Sequence, residues 1–413
     1  VQAVRFCWRS SVFAGMAKRF DVTLFGATGF TGRLAALYIS KQYASAGLRW
    51  AVAGRSAEKL NALKEECGGL PEVVVADSSD VDAVTAMVKD TKVVVSFAGP
   101  FARYSTSVVK ACAEAGTDYC DITGETDWAR EMIATYDDVA RGTGARIVHF
   151  CGHDCVPWDL MVLMMSKKLK EGNAEESLEH VDMYDDIKSQ ASGGTIETFM
   201  GAMYGPESAK RKQQLLSYDP LLKCGDAKSE NVVKANNVGG IEFGSGSAPH
   251  RTHFVMAAVN ANAIKRSNAL LGYSKKLTYC EGIAHEGAMG AIGAGVGLGF
   301  FGLGLAIPPT RWLLRSFVLP QPGQGPSEEF MEEGYLTVKG VARGDKGTVI
   351  NARMHFPVDP GYKDTARMAV ESGLALVLDG GVPAQGGVYT PAACQGEKLL
   401  NRLVATGTTF AFE

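Results

Sequence analysis

A glycine-spaced turn near the start of the chain points most directly to chemistry. Residues 20–33 read FDVTLFGATGFTGR, so an apolar run breaks into a G-x-x-G-x-x-G turn and then into a helical pattern. Backbone N–H groups in such a turn can approach a pyrophosphate, and the positive end of the following helix dipole stabilises its charge. A glycine-rich surface turn without a ligand is the alternative. We predict a phosphate-binding site made by Gly26, Thr28, Gly29, Phe30, Thr31 and Gly32.

The end of the second predicted strand distinguishes between two cofactors. Residues 50–54 read WAVAG and are followed by Arg55 and Ser56, with no acidic residue. A site for NAD usually places Asp or Glu about twenty residues after the glycines to hold the ribose 2′-hydroxyl, whereas a cation and a hydroxyl suit a 2′-phosphate. The sequence therefore favours NADP(H), the alternative being an Arg55 that only points into solvent.

Residues after the third and fourth predicted strands complete the expected crevice. Asp77 follows the third strand, where its carboxylate could accept a hydrogen bond from the adenine amino group. Ala98, Gly99 and Pro100 end the fourth strand beside the dinucleotide. Both positions follow from topology, because ligands of parallel sheets lie outside the carboxyl ends of the strands.

Hydride transfer would also need a proton donor, and no single residue identifies itself as one. The candidates at the carboxyl ends of the strands are Tyr104, Asp121, Glu125, His153 and Asp154. Asp121 and Glu125 could instead form hydrogen bonds with the backbone or the ribose, and Asp154 could cap a helix. The tyrosine comes first among them because its O–H is neutral at pH 7.

Two further patterns carry less weight. Tyr335 and Lys339 have the Y-x-x-x-K spacing of short-chain dehydrogenases, but on a predicted strand they lie about 13 Å apart. A metal site is not expected either, since tetrahedral zinc sites usually draw on separated pairs of ligands. The cluster that suggests zinc is His149, Cys151, His153 and Cys155.

The alternation of strands and helices predicts an α/β fold with an N-terminal Rossmann-type, doubly wound parallel sheet. The predicted strands are residues 21–25, 50–54, 72–77, 92–100 and 146–150, and the predicted helices are residues 57–67, 81–90 and 105–115. We place this domain at residues 19–160.

Residues 161–413 are predicted to form an α+β domain for substrate binding or oligomerisation. A hairpin is expected from residues 334–355, and residues 208–249 read as a long polar loop. Further elements are expected as helices at 159–170, 195–204, 365–378 and 395–406, a strand at 178–187, and a helix cap at Thr390 and Pro391. The sheet of this domain could close over the nicotinamide.

Composition excludes some classes of protein. The 413 residues are 46% hydrophobic, which is ample for real cores, and the net charge of −3 excludes the basic field of a general nucleic-acid binder. Nine cysteines without a C-x-x-C pair favour reduced thiols. Residues 1–18 are basic and resemble an organelle import sequence, with an extension of no functional meaning as the alternative.

Residues 287–310 form an apolar segment without a charged residue between Glu286 and Arg311. It is long enough to span a membrane, but it contains eight glycines, which disfavour a helix in water. We consider a monotopic membrane insertion, a glycine-lined groove for an acyl chain or partner, and a buried core helix. Pro308 and Pro309 suit a segment that dips into a membrane and turns back.

The chain resembles the saccharopine dehydrogenase-like oxidoreductases, a family that includes the trans-acting enoyl reductases of lipid biosynthesis. The resemblance covers nearly the whole chain from Arg19. It rests on GATGFTG at residues 26–32, AGR at 53–55, AGPF at 98–101, DITGE at 121–125 and GHDCVPWD at 152–159, and on later signatures at 193–195, 266–268 and 387–391. It implies a dinucleotide-binding domain, an α+β domain, NADPH as cofactor and, for some members, association with membranes or lipid droplets.

The leading hypothesis is an NADPH-dependent reductase that acts on a hydrophobic or lipid-linked substrate at a membrane surface, by enoyl-reductase-like hydride transfer. Saccharopine itself is disfavoured because no cluster of arginines stands out to bind its carboxylates. The alternative is a non-catalytic, nucleotide-binding accessory subunit of an organellar membrane complex. The expected location is intracellular and membrane-associated, at a mitochondrion, another organelle or a lipid droplet, and a homo-oligomer is possible.

Overall fold

The computed structural model describes residues 18–190, 219–244, 249–320, 324–379 and 385–413, with residues 193, 196, 200 and 383 in addition. The predicted targeting segment and most of the predicted helix at residues 195–204 lie outside the described residues. Within them the chain forms two large sheets, which pack against a shared set of helices.

The first sheet has seven strands, and every pairing in it is parallel. Its spatial order is β16-β6-β5-β4-β1-β2-β3. The strands are β1 (Phe20–Phe25), β2 (Trp50–Gly54), β3 (Glu72–Val75), β4 (Thr91–Ser96), β5 (Asp118–Asp121), β6 (Arg146–Val148) and β16 (Gly387–Tyr389). Because β1 has β2 on one side and β4 on the other, the strand order reverses there and opens a crevice for a ligand.

Helices connect these strands and carry apolar residues towards the sheet. They are α1 (Phe30–Gln42), α2 (Ala57–Glu66), α3 (Val81–Lys89), α4 (Phe101–Tyr104), α5 (Thr106–Ala115), α6 (Thr126–Thr143) and α7 (Val156–Gly172). The last of these leads from the first sheet to the second, and its side chains are almost entirely buried.

The second sheet is mixed and has eight strands. Its spatial order is β11-β12-β13-β7-β14-β15-β17, with β10 paired to β13. The strands are β7 (Leu178–Lys188), β10 (Val232–Ala235), β11 (Ile241–Glu242), β12 (His250–Thr252), β13 (Lys276–His285), β14 (Tyr335–Gly344), β15 (Val349–Phe356) and β17 (Thr409–Phe412). One face packs against α7 and the helix Ala257–Leu271 around a core that includes Trp158, Met161 and Tyr279.

The remaining elements are short, apart from one apolar helix and two C-terminal helices. They are a two-stranded ribbon of β8 (Lys223–Cys224) and β9 (Ala227–Lys228), a 3₁₀ turn (Pro220–Leu222), π-helical segments (Leu314–Val318 and Pro360–Asp364) and helices (Ala288–Ala306, Pro308–Leu313, Glu328–Glu333, Thr365–Leu378, Pro391–Cys394 and Glu397–Ala405).

The chain returns to the first sheet near its end. The helix Thr365–Leu378 covers β4 and β5, and at Gly373 it approaches so closely that an added Cβ would lie 2.6 Å from a methyl of Val95. The strand β16 then joins the edge of the sheet beside β6. The first sheet is therefore built from both ends of the sequence.

The predicted fold class is confirmed, and most predicted strands and helices of the first half lie within two residues of the observed ones. The fourth strand ends at Ser96, four residues before its predicted end, and α7 begins three residues before the helix predicted at 159–170. β5 and α6 are not among the predicted elements, because the short DYCD strand is bounded by polar residues. The predicted long loop at residues 208–249 is wrong in its described part, since residues 219–244 contain four short strands. Each of these strands has only two to four residues, which is too short for the alternation that sequence analysis detects.

Candidate cofactor and active site

The glycine turn of the first crossover has the backbone geometry that a phosphate-binding loop needs. Gly26 has φ +75°, and a Cβ there would lie 2.8 Å from the backbone nitrogen of Ala98. A Cβ on Gly32 would lie 2.5 Å from the carbonyl oxygen of Gly26. Only glycine fits at these two positions, so β1, β4 and the start of α1 can approach closely.

The start of α1 is open towards this turn. Gly29 is the N-cap of α1, and no side chain in the described residues caps that helix end. Thr28 and Gly29 are exposed, while the Phe30 ring packs edge-to-face on Tyr362 at 5.3 Å. Unpaired N–H groups at an uncapped helix start favour an anion. Thr31 lies in this first turn and is half-buried.

The ends of β2 and β3 bring Arg55, Ser56 and Asp77 to the same edge of the sheet. Arg55 is exposed, and the hydroxyl of Ser56 caps α2 by accepting from the Lys59 amide at 3.4 Å. Asp77 accepts from the amide and hydroxyl of Ser79, and these bonds, together with the charge of Arg55, lower the pKa of its carboxyl. The predicted cation for a 2′-phosphate is thus available at the end of β2.

Glu125 holds the segment that follows β4. Its two carboxylate oxygens accept from the backbone amides of Phe101 at 2.6 Å and Ala102 at 3.1 Å. The carboxylate therefore satisfies the first amides of α4, directly after Gly99 and Pro100. This is the structural alternative that the sequence left open for Glu125.

Asp121 is fully buried at the end of β5 and bonds His149. One carboxylate oxygen lies 2.7 Å from Nδ1 of His149, and the other accepts from the Thr123 amide at 3.1 Å. The imidazole stands edge-on to Trp128, and its Nε2 has no partner among the described residues. Both side chains are closed off from solvent, so this pair fixes β5 to the end of β6.

Tyr104 lies at the end of α4 and is half-buried. The guanidinium of Arg103 stacks over its ring at 5.0 Å. Of the predicted donors, Tyr104 and Asp154 are the two half-buried side chains whose polar groups make no hydrogen bond within the described residues. Burial raises the pKa of Asp154 to about 6 and lowers that of His153 to about 3.

A buried polar cluster between the second sheet and its helices is absent from the predicted site residues. Asp185 accepts from the indole N–H of Trp158 at 2.9 Å, and Glu281 bonds Asn260 at 2.7 Å and the Tyr279 hydroxyl at 2.6 Å. Burial raises the pKa of Asp185 to about 8 and that of Glu281 well above its usual range. A sequence signal exists, since residue 185 shares strand parity with apolar 181, 183 and 187.

The two weaker motifs are not assembled into sites. The thiol of Cys151 donates to the Val148 carbonyl, while His153 packs between Trp158 and Phe254. Across the described ranges no group of His, Cys, Asp and Glu could hold a metal ion. Tyr335 donates to Asp186 at 3.0 Å and lies on β14 with exposed Lys339, as the strand prediction required.

Comparison with known proteins places the chain in a family. The family model of the saccharopine dehydrogenase NADP binding domain matches residues 22–148. A trans-acting enoyl reductase of Mycobacterium ulcerans is 34% identical over 414 residues, which are 94% of this chain and 97% of that protein. A Mycobacterium tuberculosis protein, provisionally described as a trans-acting enoyl reductase, is 36% identical over 411 residues, with 95% and 97% covered. The chain belongs to the saccharopine dehydrogenase-like oxidoreductases.

The fold agrees with a solved structure. Apo saccharopine dehydrogenase (L-Glu forming) from Saccharomyces cerevisiae superposes with a TM-score of 0.53 at 13% identity, covering 95% of this chain and 100% of that one. At that identity the likeness shows the fold alone.

As a saccharopine dehydrogenase-like oxidoreductase, the chain binds NADP(H) and is NADP-dependent. The observed turn fits this cofactor, because Gly26 and Gly32 let β1, β4 and α1 pack closely and no side chain in the described residues caps the start of α1. The assignment of single residues to the cofactor stays a prediction. It covers the glycine turn, Arg55, Ser56, Asp77 and residues 98–100.

Proposed function

We propose that this chain reduces the carbon–carbon double bond of a hydrophobic, lipid-linked enoyl substrate at a membrane surface. The family supports the reductase part, since the relatives matched over nearly their whole length carry the name trans-acting enoyl reductase. The exposed apolar helix Ala288–Ala306 supports the lipid part and is the observation that carries the proposal.

This helix is the one segment within the described residues that is long and apolar enough to span a membrane. An 18-residue stretch of it is only 11% buried, which argues against the core-helix interpretation. Met289 is 79% exposed and Phe300 is 71% exposed. Exposed apolar patches of this kind mark surfaces that contact lipid or a partner.

The helix turns back on itself instead of continuing straight. Pro308 starts the next helix, and the Thr310 hydroxyl donates to the Gly304 carbonyl at 2.6 Å. A Cβ on Gly304 would lie 3.1 Å from a methyl of Leu314, so the two arms pack together. The second arm exposes Trp312 and Phe317. We call residues 288–318 the apolar hairpin; its shape favours a monotopic insertion.

The first arm of the hairpin packs against the second sheet. A Cβ on Gly295 would lie 2.4 Å from the side chain of Ile241 on β11, so the first arm packs closely on the edge of the second sheet. The core face of that sheet packs against α7, which follows the carboxyl end of β6. The hairpin is therefore connected to the first sheet through the packed second sheet and α7.

The chemistry needs few side chains. NADPH, when bound, supplies the hydride for the β-carbon of the enoyl group. The chain's own residues bind and orient: the glycine turn and α1 hold the diphosphate, Arg55 holds the 2′-phosphate, and the segment capped by Glu125 borders the nicotinamide position. Reduction also requires a proton at the α-carbon.

The test of the reaction is NADPH oxidation by the purified full chain with 2,3-unsaturated acyl thioesters of increasing chain length. We expect turnover that rises with chain length and with added phospholipid vesicles, and much weaker turnover with NADH. No oxidation across the panel, together with copurification of a membrane complex, would support the accessory-subunit alternative.

The lipid surface is tested separately by cosedimentation with phospholipid vesicles. Burying a phenylalanine side chain is worth roughly 1.5–3 kcal/mol, so Phe300→Ser and Phe317→Ser should each reduce the partition coefficient by about tenfold or more. Val81→Ser, which removes an exposed apolar residue of α3, is the control. If a variant that carries both Phe300→Ser and Phe317→Ser binds vesicles as well as wild type does, the membrane part of the proposal is wrong. The reductase part would not be affected.

A further inference from the structure

Two carboxyl groups meet in the core between the second sheet and its helices. Asp185 on β7 and Glu281 on β13 are both fully buried, and the strand register pairs Glu281 with Met183, so the two carboxyl groups face the same side of neighbouring strands. Two neighbouring carboxylates, away from water, cannot both carry a charge at low cost. The pair therefore keeps at least one proton near neutral pH.

The groups around the pair support a shared proton. From α7 the Trp158 indole donates to Asp185, from the helix Ala257–Leu271 Asn260 donates to Glu281, and Tyr279 donates to Glu281 along β13. Among charged and titratable groups, Arg251 of β12 acts on Asp185, and Asp154 acts on Glu281. Tyr279 and Cys155 are titratable neighbours that stay protonated, because burial raises the pKa of each well above its usual range.

Buried polar atoms beside the pair have no partner within the described residues. They include Oδ1 of Asn260 and Nδ1 of His153, whose side chains are 0% and 5% exposed. The same Asn260 bonds Glu281, and the His153 ring packs on Trp158, which bonds Asp185. Buried polar atoms are normally satisfied, so unpaired ones on both sides of a carboxyl pair indicate a place for a polar ligand group.

The cluster reaches the carboxyl edge of the first sheet at Gly124, after β5. The Cβ position that Gly124 lacks is 3.2 Å from the methyl of Met256 and 3.8 Å from Oδ2 of Asp154. Met256 is the N-cap of the helix that carries Asn260. Asp154 is half-buried and makes no hydrogen bond among the described residues, and its carboxylate lies beside this turn at the carboxyl edge of the first sheet.

We propose that the Asp185–Glu281 pair is the proton store of this site and that Asp154 carries its proton to the substrate. The inference rests on the proposed enoyl reduction. After hydride reaches the β-carbon, the O–H bond of Asp154 breaks and a C–H bond forms at the α-carbon, while the electron pair of the O–H bond stays on the Asp154 carboxylate. The pair then gives its proton to Asp154, and the three donors around the pair stabilise the carboxylate that remains there. Water restores the proton through Asp154.

The first experiment measures the shared proton without substrate. In the full chain, the pKa of Asp185 at about 8 is raised above its unfolded value. The pair therefore contributes stability that is present at low pH and lost as pH rises through about 8. The unfolding free energy of wild type should fall between pH 6 and 9, as followed by urea unfolding. Asp185→Asn should flatten this slope, whereas Asp186→Asn, one residue along β7 and exposed, should keep it.

The second experiment measures proton delivery by single-turnover kinetics with an enoyl thioester and NADPH. General acids contribute roughly 10²–10⁴-fold, so Asp185→Asn and Glu281→Gln should slow product protonation by at least about a hundredfold. Both should lose the alkaline limb of the wild-type pH profile and keep wild-type NADPH affinity, which shows that they fold. Asp154→Asn, which removes the carrier, should show a loss at least as large, and Asp186→Asn none.

The outcomes separate the two proposals. Wild-type turnover with unchanged rates in both pair variants would overturn the proton store and leave the reductase standing. Absence of turnover in wild type would overturn the proposed function. The shared proton of the Asp185–Glu281 pair would then be tested by the pH dependence of the unfolding free energy. A wild-type slope that Asp185→Asn does not change would overturn the shared proton itself.

Discussion

Arg55 is the single residue that we predict to set cofactor choice. It lies exposed at the end of β2 and acts electrostatically on Asp77 at the end of β3. Arg55→Asp replaces a phosphate-binding cation with an anion, and charged hydrogen bonds are worth about 1.5–3 kcal/mol. NADPH affinity should therefore fall by about 10–100-fold in calorimetric titration, while NADH affinity changes little.

Lys59→Asp is the matched control for that prediction. Lys59 is an exposed cation one turn into α2, so its loss changes net charge by the same amount. This substitution should lower the binding affinity for NADPH and for NADH only a few-fold. Equal losses of NADPH and NADH binding in Arg55→Asp would contradict the 2′-phosphate assignment.

His153 predicts a specific sensitivity to acid. Burial between Trp158 and Phe254 lowers its pKa to about 3, well below the unfolded value of about 6.5. Its neutral form thus contributes stability that is present above pH 6.5 and lost as pH falls from there towards 3. The free energy of unfolding of wild type should fall as the pH is lowered from 7 to 4.5. In His153→Gln, whose side chain stays neutral, this fall should be smaller by about 2–3 kcal/mol, as measured by urea unfolding. His355→Gln on β15 is the control and should follow wild type.

At the scale of elements, the crossover from β1 to α1 depends on close packing at Gly32. A Cβ there would lie 2.5 Å from the Gly26 carbonyl oxygen and 2.8 Å from Cα of Ala27. Backbone atoms cannot yield as a flexible side chain would, so Gly32→Ala should shift the turn. We expect a loss of about 1–3 kcal/mol of unfolding free energy and weaker NADPH binding.

Gly142 offers the opposite case within a helix. It lies in α6, and a Cβ there would meet no atom within 4 Å. Gly142→Ala should therefore stabilise the protein by about 0.5–1 kcal/mol, as measured by thermal or urea unfolding, and leave NADPH binding unchanged. Similar effects of the two substitutions would show that the turn is not held by the contacts at Gly32.

At the scale of the whole molecule, the sequence predicts local patterns well and distant partnerships poorly. The strands β1, β2 and β4 are apolar runs with turn signals, and the helix Thr365–Leu378 is bounded as predicted. Its place on the first sheet was not predictable, since periodicity says which face is apolar but not which sheet covers it. The glycine turn can be recognised from its residue spacing alone. Asp185 and Glu281 are 96 residues apart and become a pair only through the β7–β13 register.

The C-terminal helix and strand that complete the first sheet lead to a prediction about the domain boundary at residue 160. A fragment of residues 18–160 lacks β16 and the helix Thr365–Leu378, whose buried Ala369, Val370 and Leu374 cover the sheet. Exposing that face should leave the fragment unfolded or aggregated, with no cooperative transition by circular dichroism and no NADPH binding. Joining residues 18–160 by a flexible linker to residues 360–405 restores the covering helix and edge strand, and should recover both properties. A fragment of residues 18–160 that folds and binds NADPH alone would show that the covering helix is dispensable and that the first sheet is an independent domain.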